Sequence, residues 1–160
     1  MTHPRTVARQ HPDKPAVVMG GSGETLRFAE LVARANQGAH LLRALGLRAG
    51  DHLAVLMENN IRFYEVYWAA MSAGLYFTPI STHLSAPEAA YIANDCGARL
   101  LVSSSAMRAL AEQMPALCPA VQGFLAVGAA YRPFARWEEA IASRPTTPIA
   151  DEVGGHNMLY

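Results

Sequence analysis

Between Asp51 and Ser103 the chain reads DHLAVLMENNIRFYEVYWAAMSAGLYFTPISTHLSAPEAAYIANDCGARLLVS. Three short apolar runs stand out, Leu53–Met57, Leu75–Phe77 and Leu100–Val102. None alternates with polar residues, which is the pattern of strands covered on both faces. Between the first two lies Ile61–Ala73, opened by Asn59 or Asn60 as N-cap. Its polar stripe is narrow (Arg62, Glu65, Ser72), and Phe63, Tyr64, Val66, Tyr67, Trp68 and Met71 fill the rest. Such a helix needs cover on most sides, and its aromatic set reads as core rather than as a cofactor box. Gly74 stops it and Pro79 stops the second run. Ser85-Ala86-Pro87-Glu88 is a capping box with proline in the first turn, so a second helix runs to about Cys96. Its core face is Ala89, Ile92, Ala93 and Cys96, and Gly97 closes it. Strand, helix, strand, helix, strand with short connections is a right-handed parallel βαβαβ unit.

Upstream, Ala16–Met19 and Thr25–Arg27 read as a short hairpin around Gly20-Gly21-Ser22-Gly23. A phosphate cradle would need Gly-Lys-Ser/Thr and an apolar helix starting directly from it, and neither follows. Phe28, Leu31, Val32, Ala35, Ala39, Leu42 and Leu45 fall on one helical face, with Glu30 and Arg34 as an i,i+4 pair on the other. His40 lies on the polar side and reads as solvated. Arg27 occupies the N-cap position but offers no acceptor, so an early N–H of this helix must turn elsewhere. Downstream, Ala106–Met114 reads as helix, Phe124–Val127 as strand and Trp137–Ala142 as helix. The fold class expected is α/β: the βαβαβ unit, flanking helices and a short N-terminal hairpin, forming an incomplete lobe of something larger. Residues 1–14 read as a loosely held arm, 15–143 as the α/β subdomain and 144–160 as a linker beginning with Arg144-Pro145-Thr146-Thr147-Pro148.

Composition excludes several functions. Lys plus Arg is 13 and Asp plus Glu is 13 in 160 residues, so there is no electrostatic footprint for nucleic acid or an anionic membrane. Hydrophobic residues are 51% and charged ones only 16%, well below the roughly 25% of ordinary soluble chains. That deficit predicts apolar surface left for a partner, with oligomerisation or aggregation as its symptom. The greasiest stretch, Val66–Ile80, is broken by Ser72, Gly74, Thr78 and Pro79, so no membrane span is expected. Two cysteines, Cys96 and Cys118, sit in no metal-ligand spacing, and no signal peptide opens the chain, so a reduced, cytoplasmic setting is expected.

Candidate chemistry is sparse. There is no HExxH, CxxC or GxGxxG, and no supportable Ser/His/Asp or Cys/His set, which leaves a Rossmann-like nucleotide binder poorly supported. Glu138 and Glu139 are neighbours on a helix and point about 100° apart, so they do not form an acid/base pair. Lys14 is the sole lysine, which nearly excludes a catalytic one. His83 follows a buried parallel strand, where α/β folds place ligands, although an ordinary loop histidine is the plainer reading. No residue is assigned as catalytic, cofactor-binding or metal-binding.

Several segments nevertheless form an ordered set. Pro12-Asp13-Lys14-Pro15-Ala16, Phe28-Ala29-Glu30-Leu31, Ala44–Asp51, Ala73–Ile80, Ser85–Glu88 and Asp95–Val102 come at spacings that resemble the N-terminal region of AMP-forming acyl-CoA synthetases, in the adenylate-forming superfamily. Pro79-Ile80-Ser81-Thr82-His83-Leu84 is more similar to the fatty-acyl ligases than to peptide-synthetase adenylation domains. The resemblance implies ATP, Mg²⁺ and CoA for a full-length enzyme that converts a carboxylic acid to acyl-AMP and then to a thioester. The family's phosphate loop begins just after a Tyr preceded by apolar residues, and this sequence closes on Asn157-Met158-Leu159-Tyr160. The expectation is therefore an N-terminal fragment, truncated before the phosphate loop, inactive alone, whose partner is the remainder of the ligase chain. The alternative is a free-standing, non-catalytic α/β interaction module derived from that fold.

Overall fold

The computed structural model describes residues 3–160. In chain order the elements are α1 (Pro4–Gln10), β1 (Pro15–Val18), β2 (Thr25–Arg27), α2 (Phe28–Ala44), β3 (His52–Leu56) and α3 (Ile61–Ser72). Then come β4 (Tyr76–Pro79), α4 (Ala86–Asp95), β5 (Ala98–Ser104), a 3₁₀ turn (Ser105–Met107), α5 (Arg108–Ala111) and α6 (Met114–Leu117). The chain finishes with β6 (Gly123–Val127), β7 (Ala135–Arg136), α7 (Trp137–Ala142) and β8 (His156–Asn157). β1 and β2 form the antiparallel hairpin, and the other six strands form one sheet in the order β7-β6-β5-β3-β4-β8, every neighbouring pair parallel.

The continuous apolar runs are the central strands, and each sends alternate residues to opposite faces. Leu53, Val55, Phe77, Leu100, Val102 and Leu125 pack under α2, α3 and α7. Ala54, Leu56, Leu101 and Ala126 pack under α4, α5 and α6. The two crossovers β3→β4 and β4→β5 run in opposite directions across the sheet and lay their helices on opposite faces, as a constant crossover hand requires. Asn60 caps α3 by accepting from the N–H groups of Arg62 (2.9 Å) and Phe63 (3.1 Å). At α4 both the N–H and the hydroxyl of Ser85 donate to Glu88 (2.8 and 2.6 Å). Arg27 shows only half of a capping box: Glu30 accepts from its N–H (3.0 Å), while its guanidinium reaches the carbonyl of Asp13.

Several expectations need correction. The arm 1–14 is not loose where it is described: α1 docks onto the body through Arg5, which bonds both carboxylate oxygens of Glu152 and the side chain of Asn36. Its local cause is Pro4 in the first turn and His3 as N-cap, whose Nδ1 accepts from the Arg5 N–H. The segment 144–160 is not a free linker. Asn36, Gln37 and His40 of α2 bond the carbonyls of Thr146, Arg144 and Thr147, and β8 then joins the sheet beside β4. His40 is thus partly covered rather than simply solvated. Arg34 leaves Glu30 for Glu65 (3.4 Å), which is fully buried on α3 and also bonds Arg62 (2.5 Å). The supposed polar stripe of α3 is therefore largely interior, since Ser72 is buried as well. The single helix expected at 106–114 is broken into the 3₁₀ turn, α5 and α6.

Candidate functional site at the carboxyl edge of the sheet

All six parallel strands end on one edge, and an open α/β sheet binds ligands there, between neighbouring strands whose following helices lie on opposite faces. In this protein β3, followed by α3, and β5, followed by α5, are such a pair, as are β3 and β4, followed by α4. Glu58, two residues past β3, meets Ser104, the last residue of β5. The Ser104 hydroxyl donates to Glu58 Oε2, and the Asn60 amide donates to Oε1 (3.0 Å). Burial pushes the Glu58 carboxyl up, but the hydrogen bonds from Ser104, its own backbone and Asn60 outweigh this and hold it below the usual carboxylate range. Behind it, Ser103 donates to the carbonyl of Leu56 (2.9 Å) and Tyr131 donates to the carbonyl of Ser104 (3.2 Å). The edge is thus a fixed, satisfied polar rim around an ionised Glu58.

Two crevices flank this rim. One, of about 210 Å³, lies over the ends of β3, β5 and β6 and presents Glu58, Arg62, Ser104, Ser105 and Glu138. Gly128 borders it in the left-handed region (φ 91°), and a side chain there would strike Ser105 at 2.6 Å. The other, of about 560 Å³, lies over β3 and β4 between Met57, Glu58, Phe63, Ile80, Thr82 and Tyr160. Tyr160 donates to Asp95 (2.6 Å), and that bond pushes its phenol up to about 12.

The charge inventory limits the chemistry. Across both crevices the basic side chain is Arg62, already engaged with Glu65, against the carboxylates of Glu58, Glu138 and Glu24. A transferring triphosphate needs cations around its oxygens, so the groups gathered here do not fit ATP and Mg²⁺. Among the described residues no group of three or more His, Cys, Asp or Glu side chains could hold a metal ion.

The residues singled out in the sequence scatter. His83 is exposed on the neighbouring loop, bonded only through its N–H to Ser81 (3.3 Å), and lines neither crevice. Glu138 accepts from the Gly128 N–H (3.0 Å), while Glu139 points to solvent, so the adjacent carboxylates part as expected. Gly20–Gly23 form the hairpin turn, closed by Met19 N–H to Glu24 (2.9 Å). Cys96 and Cys118 are buried, and burial pushes both thiols up, away from reactivity. A Ser72–His3–Glu152 cluster does assemble, with His3 Nε2 3.3 Å from Ser72 and 3.8 Å from Glu152. It is not a nucleophile–base pair: His3 Nδ1 accepts from the Arg5 N–H, so Nε2 carries the ring proton and cannot take one from Ser72. Sequence reading missed the Glu58–Ser104 pair. Its signal was available in Glu58-Asn59-Asn60 and Ser103-Ser104-Ser105, polar runs closing two strands that parallel pairing brings side by side.

An open parallel sheet with a polar carboxyl edge places the chain among the α/β lobes of larger proteins. More specifically, residues 4–152 match the sequence profile of the AMP-binding enzyme family, and the chain belongs to that family. It is 32% identical over 151 residues to the fatty acid–[acyl-carrier-protein] ligase ScoC of Streptomyces coeruleorubidus, covering 89% of this chain and 28% of that one. It is 34% identical over 98 residues to the long-chain-fatty-acid–CoA ligase FadD13 of Mycobacterium tuberculosis, covering 61% and 20%. Among solved structures, a Mycobacterium tuberculosis fatty acyl CoA synthetase superposes over 99% of this chain and 31% of that one, with TM-score 0.86 and 26% identity. The N-terminal domain of FACL13 from the same organism superposes over 96% and 38%, with TM-score 0.84 and 26% identity. The fold and the fatty-acyl character of the relatives agree with the sequence expectation. The chain spans less than a third of the curated relatives' length. No helix among the described residues is long and apolar enough to cross a membrane.

Proposed function

We propose that this chain is the N-terminal lobe of an AMP-forming fatty-acyl ligase, residues 15–143 forming most of its α/β body and α1 and β8 completing it. In that reading the complete enzyme joins a fatty acid to ATP, giving acyl-AMP and pyrophosphate, and then transfers the acyl group to CoA. The lobe supplies the parallel sheet and its polar carboxyl edge, and the remainder of the ligase is its partner. The observation that carries the reading is the charge inventory of that edge, set in a chain whose family match is nearly end to end: the scaffold is present and the cations are not. By itself the chain therefore does not activate acids.

The test is a pair of proteins. The 160-residue chain alone is incubated with Mg-ATP and a palmitate or octanoate substrate, and pyrophosphate release and hydroxamate trapping are followed. A fusion of the same residues to the part of FadD13 that follows its aligned region is assayed identically. The expected result is no turnover from the chain and acyl hydroxamate from the fusion. Turnover by the chain alone overturns the inactive-lobe reading. A folded but inert fusion would favour an interaction module.

A further inference from the structure

The connection from α7 to β8 crosses the whole molecule, because β7 and β8 lie at opposite edges of the sheet. It carries no helix, and Ile149 is its buried apolar anchor. What holds it is polar: α2 bonds its carbonyls at Arg144, Thr146 and Thr147, and Arg43 pairs with Asp151 (2.8 Å). Its last side-chain hydrogen bonds before β8 are at Glu152, gripped on both oxygens by Arg5 of α1 at 2.8 and 2.9 Å. Both side chains are only about a quarter exposed, so this pair is poorly screened. Three residues later Gly155 passes so close to β4's entry that a Cβ would lie 2.5 Å from the Leu75 carbonyl. β8 then pairs over just two positions, Tyr76↔His156 and Phe77↔Asn157, with His156 stacked on Tyr76 at 5.3 Å.

We propose that Arg5 is a positioning residue: by clamping Glu152 it sets the place of β8 and, through it, of residues 158–160 at the carboxyl-edge crevice. The two-residue strand is entered through backbone contacts, the Ala73↔Val153 bridge and the Gly155 N–H to the Met71 carbonyl (2.8 Å), and the charged pair at Glu152 is the side-chain anchor immediately upstream of them. α1 has no role in covering the sheet itself, whereas it touches the strap through a bidentate bond and through His3, which caps α1 and packs its ring on Trp68 at 5.0 Å. The ligase reading enters only in what the carboxyl edge does. The clamp stands or falls on the lobe alone.

The experiment is amide hydrogen exchange on the 160-residue chain. His156 and Met158 donate to the carbonyls of Leu75 and Phe77, so their amides report the docking of β8. In Arg5→Ala these two amides should exchange about tenfold or more faster, the scale of losing a charged hydrogen bond, with β3 and β5 amides unchanged. The exchanged pair Arg5→Glu with Glu152→Arg should restore protection. Glu152→Gln, a milder change, should give an intermediate loss and covers the case of an unstable Arg5→Ala. Unchanged exchange at His156 and Met158 in Glu152→Gln and Arg5→Ala overturns the proposal. So does equal loss in β3 and β5, which would make Arg5 a general stabiliser.

Discussion

The two faces of the sheet are built on different principles. On one, α2, α3 and α7 bring large side chains, with Trp137, Leu42 and Phe77 fully buried among them. That face also hides the Glu65 carboxylate between Arg34 and Arg62, and Gly38 lets Trp137 and Ala69 approach the α2 backbone closely. On the other, α4 presses Ala89, Ala90 and Ala93 to the central strands and Ala111, Met114 and Cys118 continue that thin layer, while Tyr131 and Phe134 cover the β6 end; no carboxylate is buried there. A thick face depends on the volume its side chains fill. A thin face depends on how closely its backbone approaches.

Removal should break the first face and addition the second. Trp137→Ala is expected to cost about 3–5 kcal/mol, the range for deleting a fully buried aromatic. Ala93→Leu, which adds volume where α4 meets the sheet, is expected to cost about 1–3 kcal/mol. Urea melts of both, with equal slopes, measure this contrast. A loss in Ala93→Leu as large as in Trp137→Ala would mean that the two faces do not differ in this way.

The smallest effect isolates the buried charge. Burial, opposed by Arg62 and Arg34 and aided by Glu138, raises the Glu65 pKa above its ordinary value. The folded state therefore binds this proton more tightly than the unfolded one. The ionised carboxylate subtracts stability at neutral pH, and this loss is relieved as pH falls through the raised value toward 4.5. Glu65→Gln leaves two arginines that remain partly exposed, 38% and 26%, so neither is stranded. At pH 7 the variant should be no less stable than the parent, and the parent should gain relative to it on going to pH 5. Burial and Arg5 lower the His3 pKa, which acts in the same window with the opposite sign. It is common to both proteins, so it cancels in the difference. A variant-minus-parent difference that does not change with pH would remove Glu65 as the titrating group.

What the sequence disclosed follows the same physics. β3, β4 and β5 were legible because burial on both faces leaves an unbroken apolar run, and the Asn59-Asn60 pair and Ser85 marked the starts of α3 and α4. The Trp137–Ala142 helix was legible as one or two helical turns ahead of the proline-rich segment. β7 and β8 were not, since two residues carry no period. Glu65 was misread because a carboxylate among aromatics looks like a solvent stripe until Arg34 arrives from another helix. The grip of Arg5 on Glu152 joins residues 147 apart, a distance over which no local pattern speaks.

The order of strands also governs how this protein meets the ribosome. Synthesis delivers β3, β4, β5 and β6 in succession, and each of the last three finds its inner neighbour already made. β4 has no outer neighbour until β8 emerges, some eighty residues later by sequence number, from the far side of the sheet. Throughout that interval the nascent lobe carries an open strand edge, which in other chains recruits foreign strands. Pro79, at the end of β4, has no N–H to offer such a visitor. A residue that merely stops a strand in the finished molecule thus also guards it while it is being made.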